Sequence, residues 1–143
     1  MANFEVTVTE TVRDEASHYQ LDGEMVPIEL SSEVEVVAVS ANAAAEFRAR
    51  FSPSYIADLH PGETDSLVFL LQTQNAVICS SDAIVFKVLG CLGEGDRCIS
   101  LEQLLNSAGM GRKMRTFWCK ESYREKCLRD GWQDNMQGRA MKK

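Results

Sequence analysis

Residues 60–90, HPGETDSLVFLLQTQNAVICSSDAIVFKVLG, decide the fold, because they read as helix, strand, helix. Pro61 suits a first helical turn, where its missing N–H has no partner to lose. Leu67-Val68-Phe69-Leu70-Leu71 is apolar on nearly every side, which predicts a largely buried helix that Asn75 ends. Ala76-Val77-Ile78-Cys79 is a short apolar run suited to an inner strand of a parallel sheet, with Cys79 buried in it. Ser80, Ser81 and Asp82 are good N-caps for a helix over Ala83–Leu89, with Gly90 at its C′ position. Asp82 then stands beyond the carboxyl end of a strand, where open α/β sheets bind their ligands.

Toward the N-terminus, Phe4–Val8 alternates as a half-buried strand does, and Thr11 with Asp14 resembles a capping box opening a helix to about Tyr19. Asp22-Gly23 marks a turn and Val26–Leu30 an extended segment. Val34–Val39 is β-branched and reads as a strand; Ser40 caps a helix from Ala41 to about Phe51, broken by Ser52-Pro53-Ser54. Toward the C-terminus, residues 93–96 form a loop and Arg97–Ile99 a short strand. Ser100 with Gln103 opens a helix over Leu101–Ser107, and residues 108–111 stop it. Phe117, Tyr123 and Leu128 predict a further helix over residues 112–131, and the polar run Gln133–Lys143 reads as a frayed end. The alternation implies an α/β sandwich with a mostly parallel sheet, divided into a domain over residues 1–110 and a basic tail over 111–143.

At 143 residues the chain suits one moderate core, and no apolar run is long enough to span a bilayer. The opening MANFEVTVTE is acidic and alternating, unlike a signal peptide, and the five cysteines form no CxxC pair. Both features point to reduced structural thiols in a cytoplasmic protein with no membrane partner. The net charge of −6 is unevenly spread: residues 1–109 hold 5 Lys/Arg against 17 Asp/Glu, and residues 110–143 hold 10 against 4. A basic tail on an acidic body either covers that body, through Phe117, Trp118 or Leu128, or meets nucleic acid or an acidic partner. Met110–Lys113 with Trp118, Tyr123 and Arg124 sets cations beside aromatics, a composition that fits single-stranded RNA but more often marks a helix packed on the body. No serine sits in a nucleophile elbow, and Gly90, Gly93 and Gly95 are followed by no phosphate-loop lysine. His60, before Pro61, reads as a turn or cap residue.

Four carboxylates stand out: Glu15, Glu63, Asp65 and Asp82. Oxygen ligands are what Mg²⁺ and Mn²⁺ prefer, and such ions orient a phosphodiester and activate water. Spacing alone favours reading the same residues as helix caps and solvated acids; Glu63 and Asp65 in a first turn offset the helix dipole by ~0.3–1 kcal/mol. Being two apart, they point roughly 200° away from each other, so a regular helix aims only one of them at a given site. Which one is left open by the wheel.

The stretch GETDSLVFLLQTQNAVICSSDAIVFKVLG resembles the second half of a PIN domain, in the branch where a Gly-Glu-x-acid motif opens a long helix. In that branch a strand then ends in an acidic residue, and a helix ends in Leu-Gly. VTVTETVRDEA resembles the strand and helix that carry the family's second acid, matched by Glu15. RCISLEQLLNSAGM resembles the last strand and helix, so the resemblance covers residues 4–110. It implies a three-layer PIN-like sandwich, with Glu15, Asp65 and Asp82 catalytic, Glu63 accompanying them, and Mg²⁺ or Mn²⁺ held by these four. It also implies metal-dependent hydrolysis of single-stranded RNA and a small antitoxin-like protein as partner. The family's first strand, which ends in an Asp and lies mid-sheet, has no counterpart here. The expectation is that Phe4–Val8 closes the gap by pairing with Ala76–Cys79, or that a second copy lends a strand and forms a homo-oligomer. Metal binding is then weak and ribonuclease activity low or absent. The other readings are a non-catalytic PIN-like module acting through a protein partner and a remnant that folds only as an oligomer.

Overall fold

Apolar residues at helical spacing build the core of the computed structural model, which describes residues 4–143. The chain runs β1 (Thr7–Thr9), α1 (Glu10–Glu15), β2 (His18–Leu21), β3 (Glu24–Pro27), β4 (Glu35–Val37), α2 (Ala41–Arg48) and α3 (Pro61–Gln72). It continues through β5 (Ile78–Cys79), α4 (Ala83–Cys91), β6 (Cys98–Ile99), α5 (Leu101–Ser107) and α6 (Glu121–Met136), with 3-10 turns at Gly95–Arg97 and Phe117–Cys119. Leu67, Val68 and Leu70 of α3, Val85, Phe86, Val88 and Leu89 of α4, and Cys127 of α6 are buried together with Phe47, Phe51, Ile56 and Leu59.

The chain is mixed α/β. Its strands form three separate two-stranded pieces among the described residues, where one mostly parallel sheet was expected. β1 pairs with β4 and β5 with β6, both in parallel, while β2 and β3 make an antiparallel hairpin. The two parallel pieces lie against α3, through β1 and β5 respectively. β1 is not hydrogen-bonded to β5, so the expected closure of a mid-sheet gap within the chain does not occur. The hairpin turns at Asp22 and Gly23, both with positive φ (50° and 83°), the backbone that two-residue hairpin loops require.

Several local expectations shift. Thr9, two residues earlier than expected, caps α1 by accepting the Val12 N–H at 3.2 Å, and Tyr19 lies in the hairpin and not in the helix. Cys79 is exposed, because a two-stranded sheet leaves it without a covering layer. Gly90 does not end α4. It lies inside that helix, where a Cβ would run into the Leu128 carbonyl of α6, and the left-handed residue comes later at Gly93 (φ 71°). The C-terminal helix starts at Glu121, later than expected, and packs on α4 through Cys127, Leu128 and Gly131. Phe117 and Trp118, by contrast, stay exposed. Residues beyond 136 are also seated: Ala140 is buried, Met141 bridges to Phe51, and the Ser52 N–H donates to the Ala140 carbonyl at 2.8 Å.

Three arginines fasten the irregular segments. Arg48 donates to the Leu59 carbonyl at 2.7 Å and to Thr64 Oγ1 at 3.0 Å. Arg97 reaches the carbonyls of Leu70, Thr73 and Ala76, and Arg124 those of Cys98 and Gly95. A guanidinium offers several donors in a rigid fork, which suits it to carbonyls that helices and strands leave without partners. No helix of the described residues is long and apolar enough to cross a membrane.

Candidate functional site

The first turn of α3 gathers the sequence-singled acids from three directions. His60 precedes it in extended conformation, and Pro61 at the first position fixes the helical φ. The backbone N–H groups of that turn have no helical acceptors, so they take carboxylates. Glu63 Oε2 accepts the His60 N–H at 2.9 Å, and Glu15 Oε1, at the end of α1, accepts the Gly62 N–H at 3.2 Å. Glu15 thus acts as a cap for a helix it does not belong to.

Glu63 and Asp65 point apart, as their spacing requires. Asp65 turns to α1, where Thr11 Oγ1 donates to its Oδ2 at 2.6 Å. It lines a shallow cleft of about 200 Å³ together with Ala44, Arg48, Leu59, Pro61 and Thr64. Glu63 turns toward the start of α4, where the Asp82 carboxyl is among the groups that raise its own pKa. Asp82 occupies the N-cap position of α4 and makes no side-chain cap hydrogen bond. Glu63 and Asp82 are the pair brought together; Asp65 is directed elsewhere, and Glu15 sits on the backbone one residue before Glu63. Among the described residues, no three His, Cys, Asp or Glu side chains converge at metal-ligand distance.

Burial and the facing Asp82 carboxyl push Glu63 up to about 7, against the opposing pull of the His60 N–H. The His60 ring is a further neighbour, with Nδ1 3.8 Å from Glu63 Oε2, and is mostly exposed. A carboxyl whose folded-state value is raised stabilises the fold at low pH, where it is protonated. That contribution is lost as pH rises through about 7. Glu63→Gln imitates the protonated form. Its melting temperature relative to the native chain is therefore expected to rise between about pH 4.5 and pH 8. Parallel melting profiles across that window would show that the Glu63 carboxyl is not raised.

The residues that sequence reasoning overlooked are Thr11, the donor to Asp65, and Arg48, which shares its cleft. Neither belongs to a motif, although a hydroxyl at the mouth of an acid-bearing helix is a donor worth testing against nearby carboxylates. No family model, no curated protein sequence and no solved structure matches the chain.

Proposed function

We propose that the chain is a PIN-like, nucleic-acid-associated protein that holds Mg²⁺ or Mn²⁺ weakly, with phosphodiester hydrolysis reduced or lost. The observation that carries this reading is the set of carboxylates at the N-termini of α3 and α4: Glu63 on the His60 N–H, Glu15 on the Gly62 N–H, and Asp82 at the α4 N-cap position without a cap hydrogen bond. Asp82 makes no cap hydrogen bond for α4, and like charges near each other favour either a protonated acid or a cation between them. Two carboxylates fit Mg²⁺, which keeps most of its waters and commonly takes only one or two protein carboxylates. Glu63 and Asp82 would hold the ion, with Glu15 on the adjacent Gly62 N–H; Asp65, engaged with Thr11, faces away from it. A bound divalent ion supplies a Lewis acid for a phosphoryl oxygen and an activated water. Element order also supports the reading, since two parallel strand pairs lie on one acid-bearing helix, as a three-layer PIN-like sandwich interrupted at its middle would have them. The lack of a third converging ligand among the described residues favours the second reading, a non-catalytic PIN-like module that acts through a protein partner.

The experiment is a Mn²⁺ titration followed by thermal melting, paired with a single-stranded RNA digest, on the native chain and on Asp82→Asn. The expected result is a Mn²⁺-dependent rise in melting temperature that Asp82→Asn removes, with slow or undetectable cleavage. Robust cleavage lost in Asp82→Asn would show that these acids suffice for turnover. Absence of any Mn²⁺ effect would remove the metal from the reading, and cleavage that persists in Asp82→Asn would mark a contaminant.

A further inference from the structure

The acid-free run between Glu102 and Glu121 holds four cations, Arg112, Lys113, Arg115 and Lys120, in a chain whose net charge is −6. Arg112, Lys113 and Arg115 are exposed, while Met114 between them is buried and anchors the segment. Its rings are not used for packing in the core: Phe117 is 59% exposed and Trp118 44%. They are nonetheless held in place. Phe117 meets Trp118 edge to face at 5.1 Å and Tyr123 of α6 likewise at 5.1 Å. Large rings kept open to solvent on a fixed base cost hydrophobic free energy that burial would recover.

Their place in the fold is also defined. The start of α6 is tied to the end of β6, with Ser100 Oγ donating to Glu121 Oε2 at 2.8 Å and Arg124 donating to the Cys98 carbonyl at 2.9 Å. The Ser80 N–H, leaving β5, donates to the Ile99 carbonyl at 3.3 Å. The turn bearing Phe117 and Trp118 therefore lies beyond the carboxyl ends of β5 and β6, on the edge from which Asp82 departs.

We infer that Arg112–Lys120 is a binding surface for single-stranded nucleic acid, with bases stacking on Trp118 and Phe117 and phosphates meeting Arg112, Lys113, Arg115 and Lys120. Charge selects the ligand, because a local basic surface on an acidic protein attracts a polyanion, and the exposed π faces add what an acidic peptide lacks. Stacking on aromatics beside a cationic groove is the general mode of single-strand recognition, tolerant of sequence. A duplex hides its base faces and fits this surface poorly. The inference rests on the nucleic-acid part of the reading above and is independent of the metal.

The test is fluorescence anisotropy with a labelled oligouridylate of about 12 nucleotides, in EDTA, using the full chain. Trp118→Ala is expected to weaken binding about ten-fold, Trp118→Phe to retain most of it, and the exposed Trp132→Phe on α6 to change nothing. Each of Arg112→Gln, Lys113→Gln and Arg115→Gln is expected to reduce the slope of log affinity against log salt by about 0.7. Oligothymidylate is expected to bind comparably, since neither stacking nor charge reads the 2′-hydroxyl. Circular dichroism establishes that the variants are folded. Equal affinity of native and Trp118→Ala chains, or competition by polyglutamate as strong as by oligouridylate, would overturn the inference. So would no binding at all. Because the assay excludes divalent ions, a negative Mn²⁺ titration leaves this result standing, and cleavage untouched by Trp118→Ala would discard the surface while keeping the hydrolysis.

Discussion

Gly131→Ala is expected to destabilise the fold by about 3 kcal/mol and to lower its melting temperature by on the order of 10 °C. Two effects oppose each other. Alanine is the better helix former by about 1 kcal/mol, which alone would stabilise α6. Yet a Cβ at Gly131 would fall well inside contact distance of the Lys87 carbonyl oxygen, and its other close neighbours are also Lys87 backbone atoms. Backbone inside a helix cannot rotate away as a side chain can. Accommodation therefore requires α4 and α6 to part along a contact that also buries Cys127 and Cys91, and the overpacking penalty wins. Gly90, facing the Leu128 carbonyl from the other helix, is expected to behave alike. Gly95→Ala is the control, since its nearest neighbour is the flexible end of Leu128 at 3.3 Å. Thermal melting of these variants decides the matter; an unchanged Gly131→Ala melting temperature would mean that the helices are not in backbone contact.

Arg97→Ala is expected to cost about 2–3 kcal/mol. Arg97 Nη2 donates to the Leu70 carbonyl at 2.7 Å and the Thr73 carbonyl at 2.6 Å, and Nε reaches the Ala76 carbonyl at 3.3 Å. One guanidinium thus satisfies the C-terminal end of α3 and the loop that leads into β5. Truncation leaves these acceptors to water, in a region where Arg97 is only partly exposed. Arg97→Lys is expected to recover less than half of the loss, because a single ammonium cannot span three separated carbonyls. Urea denaturation at constant m-value measures both variants. A midpoint for Arg97→Ala equal to the native one would show that water replaces the side chain without penalty.

Elements whose signals are local were legible in the sequence. Ser40 and Ser100 accept the Ala43 and Gln103 N–H groups at 3.1 Å, and Pro61 opens α3. The helical wheel that separates Glu63 from Asp65 also holds: Glu63 accepts the His60 N–H while Asp65 turns to Thr11. The misreadings arise where a residue answers to something distant in sequence. Gly90 looks like a helix stop until Leu128 packs on it, and Cys79 looks buried until its sheet proves to have only two strands. Phe117 and Trp118 look like core residues by type and stay exposed, while Leu128, named with them, does pack on α4 together with Cys127 and Gly131. The Glu63–Asp82 pair was visible as two acids, and its meeting depends on how α3 and α4 are set beside each other, which residue spacing does not encode.

The seating of the chain's last residues has a consequence in time. Tyr55 donates to Asp134 at 2.9 Å across a separation of 79 residues, and the Phe51–Met141 bridge and the Lys142-to-Arg50 hydrogen bond close the same long loop. Loop-closure entropy must be met before such contacts return anything, so this seam forms after the local helices and contributes little to the folding transition state. Interactions absent from that state act on the unfolding rate alone. The seam is thus a latch: it does little to hasten the chain's arrival at the folded form, and it sets how long the chain remains there.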